Sequence, residues 1–88
     1  HLLLADIVMN DMDGMQFLRE IKEMDALTQV IVVSANRSME KVVQCLELGA
    51  SDYVIKPVQD AARLIEVVEY SVQKLERWKE VIRIILNM

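Results

Sequence analysis

Three short apolar runs alternate along the chain with segments that have helical spacing. The runs are Leu2–Ala5, Gln29–Ser34 and Asp52–Ile55, and the second is rich in β-branched residues. Continuous apolar runs of this length are typical of parallel strands whose two faces are both covered. We therefore predict three parallel strands, each followed by a helix.

The segment after the first run predicts a helix that begins near Met15. Asp11 or Asp13 can cap its amino end, because aspartate oxygens accept hydrogen bonds from the free N–H groups of a first turn. Apolar positions at helical spacing define its packing face. These positions are Phe17, Leu18, Ile21 and Met24.

Two further helices are predicted from their cap residues. Ser38 is a candidate N-cap for the second helix, and Gly49 stands where a left-handed residue would end it. Asp60 can cap a third helix that begins at Ala61 and meets no helix breaker before the C-terminus. The second helix is expected to pack through Met39, Val42, Val43 and Leu46, and the third through Leu64, Ile65 and Val68.

The element order β-α-β-α-β-α predicts an α/β fold with parallel pairing and right-handed crossovers. The chain has 88 residues, 53% of them hydrophobic, which suits one small domain with a packed core. The net charge of -4 argues against general nucleic-acid binding, because the chain offers no basic stripe to phosphates.

Cysteine content and hydropathy predict a cytoplasmic protein that does not bind membranes. Cys45 is the single cysteine, so no intrachain disulfide can form, and a reducing compartment is favoured. No apolar run approaches the ~18 residues of a membrane span, and no signal-peptide pattern is visible.

A polar residue stands at the end of each predicted strand: Asp6, Ser34 and Lys56. Because the carboxyl ends of parallel strands meet at one edge of the sheet, we expect these side chains to lie close together. A carboxylate can accept a phosphoryl group, while a hydroxyl and an ammonium hold its oxygens. Each residue alone could be a loop residue, a cap or a solvated charge. Their joint placement favours a phosphoryl-transfer site, for which a divalent ion is also expected.

Three motifs in the chain resemble the receiver domain of two-component response regulators. They are LLLADIVMNDMDG at 2–14, VIVVSA at 30–35 and LELGASDYVIKP at 46–57. The resemblance covers about residues 2–75 and begins at the family's third strand. It implies a partial flavodoxin-like parallel sheet, in which this chain supplies strands 3, 4 and 5 of the order 2-1-3-4-5.

The resemblance also implies a role for each residue at the sheet edge. Asp6 would be the phosphoacceptor, Ser34 the switch hydroxyl, and Tyr53 the aromatic side chain that changes rotamer with it. Lys56 would contact the phosphoryl group, and the Lys56–Pro57 peptide would be cis. The phosphoryl group would come from a histidine kinase or a phosphotransfer protein. The chain would take part in its own phosphorylation without being a dedicated enzyme.

Mg²⁺ is the cofactor that the resemblance implies for the complete domain. Its ligands in this chain would be Asp6 and the backbone carbonyl of Val8. The family's acidic pair is missing from this chain, and Asp11 and Asp13 lie too far along the sequence to replace it. Because Mg²⁺ requires near-octahedral oxygen coordination, we expect weak or absent binding. Val8 and Asn36 stand at the two positions that tune phosphoryl lifetime in the family.

The chain resembles a receiver truncated at its amino end, because the family's first strand, first helix and second strand are absent. Leu2–Ala5 would then form an exposed apolar edge, which favours pairing with another chain. We expect residues 1–72 to form the partial receiver domain.

Residues 73–88 are expected to extend the last helix as a coiled-coil linker to an absent output domain. Apolar residues repeat there at alternating spacings of three and four, as in a coiled-coil seam. We therefore expect a homodimer, formed through this helix or through the sheet edge, with Trp78 as an interface anchor rather than a ligand platform. The seam residues are Ile65, Val68, Val72, Leu75, Lys79, Ile82 and Leu86.

Two other functions remain open at this point. A pseudo-receiver would act as an interaction or dimerisation module without phosphorylation, although Asp6, Ser34 and Lys56 argue against it. A phosphatase with an aspartate nucleophile usually has a second aspartate two residues later, and Val8 stands at that position.

Overall fold

The computed structural model describes residues 2–6, 12–58 and 60–88. Strands and helices alternate along the chain, and this confirms the predicted α/β element order. The elements are β1 (Leu2–Asp6), α1 (Met12–Met24), β2 (Gln29–Ser34), α2 (Met39–Glu47), β3 (Asp52–Ile55) and α3 (Ala61–Leu86). In these described segments, no helix combines the length and the apolar character needed to cross a membrane.

The three strands form one parallel sheet in the order β1-β2-β3. Asp6 is in register with Val33, and Ser34 is in register with Ile55. The middle of β2 is fully buried, because it pairs with a strand on each side and carries packed helices on both faces. The register brings the carboxyl ends of all three strands to one edge, as the sequence predicted.

One core layer lies between the sheet and helices α1 and α2. It consists of Ala5, Leu18, Val30, Val32 and Cys45, with Tyr53 among the half-buried residues packed against it. The packing faces of these two helices differ from the predicted ones. In α1, Leu18 is buried, but Met24 is 83% exposed. In α2, Cys45 is the buried residue, whereas Met39 and Leu46 point to solvent.

Helix α3 covers the other face of β2. Its buried residues Val67, Ser71 and Leu75 are four positions apart and form one stripe. Ile31 alternates with the core residues Val30 and Val32, so it faces this stripe, and it is fully buried. The prediction that Ile65 packs on the sheet is wrong, because Ile65 lies two residues before Val67 on another side of the helix and is 56% exposed.

Strand β1 forms an edge of the sheet that the structure describes. Ala5 is buried under α1, while Leu4, which points to the opposite face, is 51% exposed. The expected apolar edge is therefore present. Leu4 lies on the side of the sheet that α3 covers at β2, and at β1 this side is exposed.

Helix caps agree with the sequence at three of the predicted positions. The hydroxyl of Ser38 accepts a hydrogen bond from the backbone N–H of Lys41, and Asp60 caps α3 in the same way. Gly49 follows α2 with φ of 95°, a conformation that L side chains rarely adopt. Asp13 is not a cap, because it lies inside α1, and the alternative cap Asp11 lies outside the described residues.

Candidate functional site

The candidate site lies at the carboxyl edge of the sheet. Asp6 ends β1 in register with Val33, the residue that precedes Ser34 at the end of β2. The backbone N–H of Lys56 donates a hydrogen bond to the carbonyl of Ser34 over 2.8 Å. The backbones of the three predicted site residues therefore meet at one edge. The side chain of Asp6 and all of Val8 lie outside the described part of the chain.

Ser34 is a buried hydroxyl with a defined partner. Its side chain is 2% exposed, and its Oγ accepts a hydrogen bond from the backbone N–H of Asn36 over 3.1 Å. The Oδ1 of Asn36 in turn accepts from the backbone N–H of Ser38 over 2.7 Å. Two local side chain–backbone bonds of this kind fix the loop between β2 and α2. The Ser34 hydroxyl is thereby tied to the loop that leads into α2.

Tyr53 reaches the same loop from β3. It is in register with Val32 and packs against the core, and its hydroxyl donates to the backbone carbonyl of Asn36 over 2.8 Å. The main chain of Asn36 thus binds Ser34 through its N–H and Tyr53 through its carbonyl. Ser34 and Tyr53 were both predicted from the sequence, whereas Asn36 was predicted only as a position that tunes phosphoryl lifetime. No sequence signal indicated the bridge, because it depends on the path of the loop.

Lys56 follows β3 at the same edge, and its side chain is half-buried. The Lys56–Pro57 peptide is cis, as predicted. The backbone carbonyl of Lys56 lies 3.5 Å from a guanidinium nitrogen of Arg37, which donates to it. Arg37 therefore brings a second cation to this edge, which the sequence analysis did not identify. Its position three residues after Ser34, in the loop at the carboxyl end of β2, was the available signal.

The described residues do not fit a Mg²⁺ site. They contain no group of three or more carboxylate, histidine or cysteine side chains that could hold a metal ion. Mg²⁺ takes six oxygen ligands in near-octahedral geometry, and Asp6 alone does not supply them.

An open face lies beside Tyr53 at the outer side of β3. A cleft of about 260 Å³ separates α2 from β3 and is lined in part by Cys45, Leu46 and Tyr53. A second cleft of about 300 Å³ lies between β3 and the start of α3, and Tyr53 lines it too. Exposed apolar side chains border this face: Met39, Val43, Leu46 and Ile55. Movement of Tyr53 would alter both clefts.

Residues 1–69 match the response regulator receiver domain family. The chain belongs to this family. Chemotaxis protein CheY of Bacillus subtilis (strain 168) is 39% identical to the receiver chain over 67 residues, which are 76% of this chain and 55% of CheY. The chain therefore spans about half the length of this relative.

Solved structures show the same fold. A CheY-like response regulator receiver domain protein from Methanospirillum hungatei JF-1 superposes with a TM-score of 0.77 and 30% identity, covering 86% of the receiver chain and 60% of that protein. NtrX from Brucella abortus gives a TM-score of 0.82 and 31% identity, covering 94% of this chain but 18% of NtrX. The receiver chain therefore has a partial flavodoxin-like fold.

Proposed function

We propose that this receiver is a phosphorylation-controlled switch and that Asp6 accepts the phosphoryl group. A carboxylate oxygen of Asp6 attacks the phosphorus of the donor, the bond from phosphorus to the leaving group breaks, and an acyl phosphate forms. The donor is a histidine kinase or a phosphotransfer protein. In this role the receiver assists its own phosphorylation and is not a dedicated enzyme. The position of Asp6 at the same edge as Ser34 and Lys56 supports the proposal.

In this switch, Asn36 couples Ser34 to Tyr53. Its N–H donates to the Ser34 hydroxyl, and its carbonyl accepts from the Tyr53 hydroxyl. A phosphoryl group on Asp6 offers charged oxygens that attract a hydroxyl donor more strongly than a neutral partner does. If Ser34 turns towards that group, the N–H of Asn36 loses its acceptor and the loop can shift. Tyr53 would then exchange between two arrangements, and phosphorylation would change their populations.

The output surface in this proposal is the face formed by α2, β3 and the first half of α3. Tyr53 lines both clefts of that face, and exposed apolar side chains on α2 border it. Exposed apolar patches with polar rims are typical of protein interaction sites. A change in Tyr53 would therefore change the shape of a surface that is suited to a protein partner.

We further propose that α3 joins two copies of the chain. The predicted seam needs one adjustment, because Leu75 is buried against the sheet and Lys79 would place a charge in the seam. Past the sheet, Ile82 and Ile85 form an apolar stripe on α3, seven and ten positions after Leu75. The stripe continues the buried face of α3 and avoids Lys79.

Sedimentation of Ile82→Glu and Ile84→Glu tests this dimer. Ile82 lies on the stripe and is 39% exposed, whereas Ile84 lies beside it and is 56% exposed. We expect the wild type and Ile84→Glu to sediment as dimers, and Ile82→Glu to sediment as a monomer. A monomeric wild type, or equal behaviour of the two variants, would contradict the proposed stripe.

Intact mass spectrometry after incubation with a small phosphodonor tests the phosphoacceptor. We expect the wild type to take up one phosphoryl group at low yield, because the described residues contain no group of side chains that could hold a metal ion, and Asp6→Asn to take up none. Asp25→Asn is the matched control, because Asp25 lies in the loop at the opposite end of the sheet. Efficient labelling of the chain would contradict the expected low yield, and labelling of Asp6→Asn would exclude Asp6.

The alternative is a pseudo-receiver that acts only as an interaction module. The half-exposed apolar stripe on α3 and the apolar face beside Tyr53 would suit such a role without any phosphorylation. Phosphoryl uptake by the chain joined to an upstream segment that carries an acidic pair distinguishes the two functions. A rise in phosphoryl uptake that depends on Asp6 supports the switch, and a continued lack of uptake supports the pseudo-receiver.

A further inference from the structure

A cleft of about 340 Å³ lies at the amino ends of β2 and β3, opposite to the edge where Asp6 lies. The end of α1 contributes Lys22, and α3 contributes Lys74 and Trp78. The loops before β2 and β3 form the remaining walls, and the buried side chain of Gln29 lies at its floor. The cleft thus joins residues from both sides of the sheet.

Lys22 is held in a fixed position at this cleft. Its ammonium donates to the backbone carbonyls of Ala26 over 2.8 Å and Thr28 over 2.9 Å. A Cβ atom added to Gly49 would lie 3.0 Å from Cε of Lys22, so the lysine side chain passes directly over the glycine. Two of the three ammonium hydrogens are occupied. The third makes no hydrogen bond with a residue that the structure describes, and Lys22 lines the cleft.

Positive charge dominates the cleft. Burial lowers the pKa of Lys22, nearby Asp25 raises it, and the charge of Lys74 lowers it further. Asp25 also caps the following turn by accepting from the backbone N–H of Leu27 over 2.9 Å. Lys74 makes no ion pair with any residue in the described ranges. Two ammonium groups therefore face one cleft in a chain whose net charge is -4.

The other polar groups of the cleft already have partners. The Oε1 of Gln29 accepts from the hydroxyl of Ser51 over 2.6 Å, and its Nε2 donates to the carbonyl of Leu27 over 3.2 Å. These polar groups form the floor of the cleft. The two lysines and the indole of Trp78 are therefore the groups that can bind a ligand. Trp78 lies one helical turn after Lys74 and is 53% exposed, so an aromatic surface stands beside the cations.

We propose that this cleft binds a small planar anion, with its carboxylate or phosphate on Lys22 and Lys74 and its ring against Trp78. The volume is at the lower end of the range for small-molecule sites, about 300–1,000 Å³. An ammonium binds a carboxylate or phosphate through charge-assisted hydrogen bonds, and an indole face stacks on a flat ring. None of the residues that line this cleft lies at the Asp6 edge, so ligand binding here does not require phosphorylation. Trp78 acts here as a ligand platform, a role that the sequence analysis did not favour.

Fluorescence of Trp78 tests the site directly, because it is the only tryptophan of the chain. The protein is titrated with benzoate and phenyl phosphate, which combine a ring with an anion. Benzyl alcohol supplies the ring without the charge, and inorganic phosphate supplies the charge without the ring. We expect a saturable change with benzoate, phenyl phosphate or both, and at least tenfold weaker binding of the other two probes. The better of the two ring anions identifies a carboxylate or a phosphate as the preferred group.

Matched variants separate this site from the other proposals. We expect Lys74→Met to weaken binding of the ring anion at least tenfold, and Lys79→Met, five residues further along α3, to leave it unchanged. Asp6→Asn and Ile82→Glu should bind as the wild type does, so neither phosphorylation nor self-association can produce the signal. The absence of a saturable change with either ring anion, or equal affinity in wild type and Lys74→Met, would overturn the proposal.

Discussion

The hydrogen bond from Tyr53 to Asn36 can be removed without changing the packing of the ring. Tyr53→Phe deletes only the hydroxyl that donates to the backbone carbonyl of Asn36 over 2.8 Å. A typical intramolecular hydrogen bond contributes about 0.5–1.5 kcal/mol to stability. Asn36 is half-buried, so water can reach part of the vacated carbonyl. We therefore expect a loss of about 0.5–1 kcal/mol in the free energy of unfolding.

The assay is urea denaturation followed by far-ultraviolet circular dichroism. Tyr70→Phe is the matched control, because Tyr70 is the second of the two tyrosines, is 65% exposed and makes no hydrogen bond with the residues that the structure describes. Its effect should stay within about 0.5 kcal/mol of zero. For a domain of this size, Tyr53→Phe should lower Tm by about 2–8 °C. Equal stability of the two variants would refute the bridge through Asn36.

Other predictions concern the core, the turn after α2 and the buried thiol. Leu18→Ala should lower the free energy of unfolding by about 3–5 kcal/mol in urea denaturation, because Leu18 is fully buried. Phe17→Ala, at a 47% exposed position, should lower it clearly less. Equal losses would contradict the packing of α1. Gly49→Ala should lower the free energy of unfolding by about 1–2 kcal/mol in the same assay, because φ is 95° there and the new Cβ meets Lys22. An unchanged free energy of unfolding would contradict this turn. Burial raises the pKa of the Cys45 thiol above its usual 9.0, with Lys41 opposing the shift. As pH rises, the unfolded state therefore loses this proton before the folded state does. The free energy of unfolding of the wild type should fall above about pH 9. In Cys45→Ala the part of this fall that comes from the thiol should be missing.

The strands and caps could be predicted because their signals are local. The run QVIVVS is continuous and β-branched, and Ser38 and Asp60 each precede a helix by one residue. Helix faces were harder to predict, because adjacent apolar stripes on one helix look alike in sequence. Cys45 rather than Leu46 faces the sheet, and Val67 rather than Ile65 does so in α3. Only the position of the sheet decides between such stripes.

The candidate site was predictable as far as topology determines it. Parallel strands must bring Asp6, Ser34 and Lys56 to one edge, whatever the loops do. The bridge at Asn36 was not predictable, because it uses main-chain groups that every residue has. The cleft beside Trp78 was missed for another reason. It brings together residues of α1 and α3, which are far apart in sequence and carry no motif.

The central claim is that Asp6 accepts the phosphoryl group, and chemical mapping of the modified residue tests it most directly. After incubation with a small phosphodonor, borohydride reduces an acyl phosphate to an alcohol and converts the phosphorylated aspartate to homoserine. Peptide mass spectrometry then locates the change among the aspartates of the chain. We predict homoserine at position 6 only. Homoserine at position 11, 13 or 52 with Asp6 intact would contradict the account.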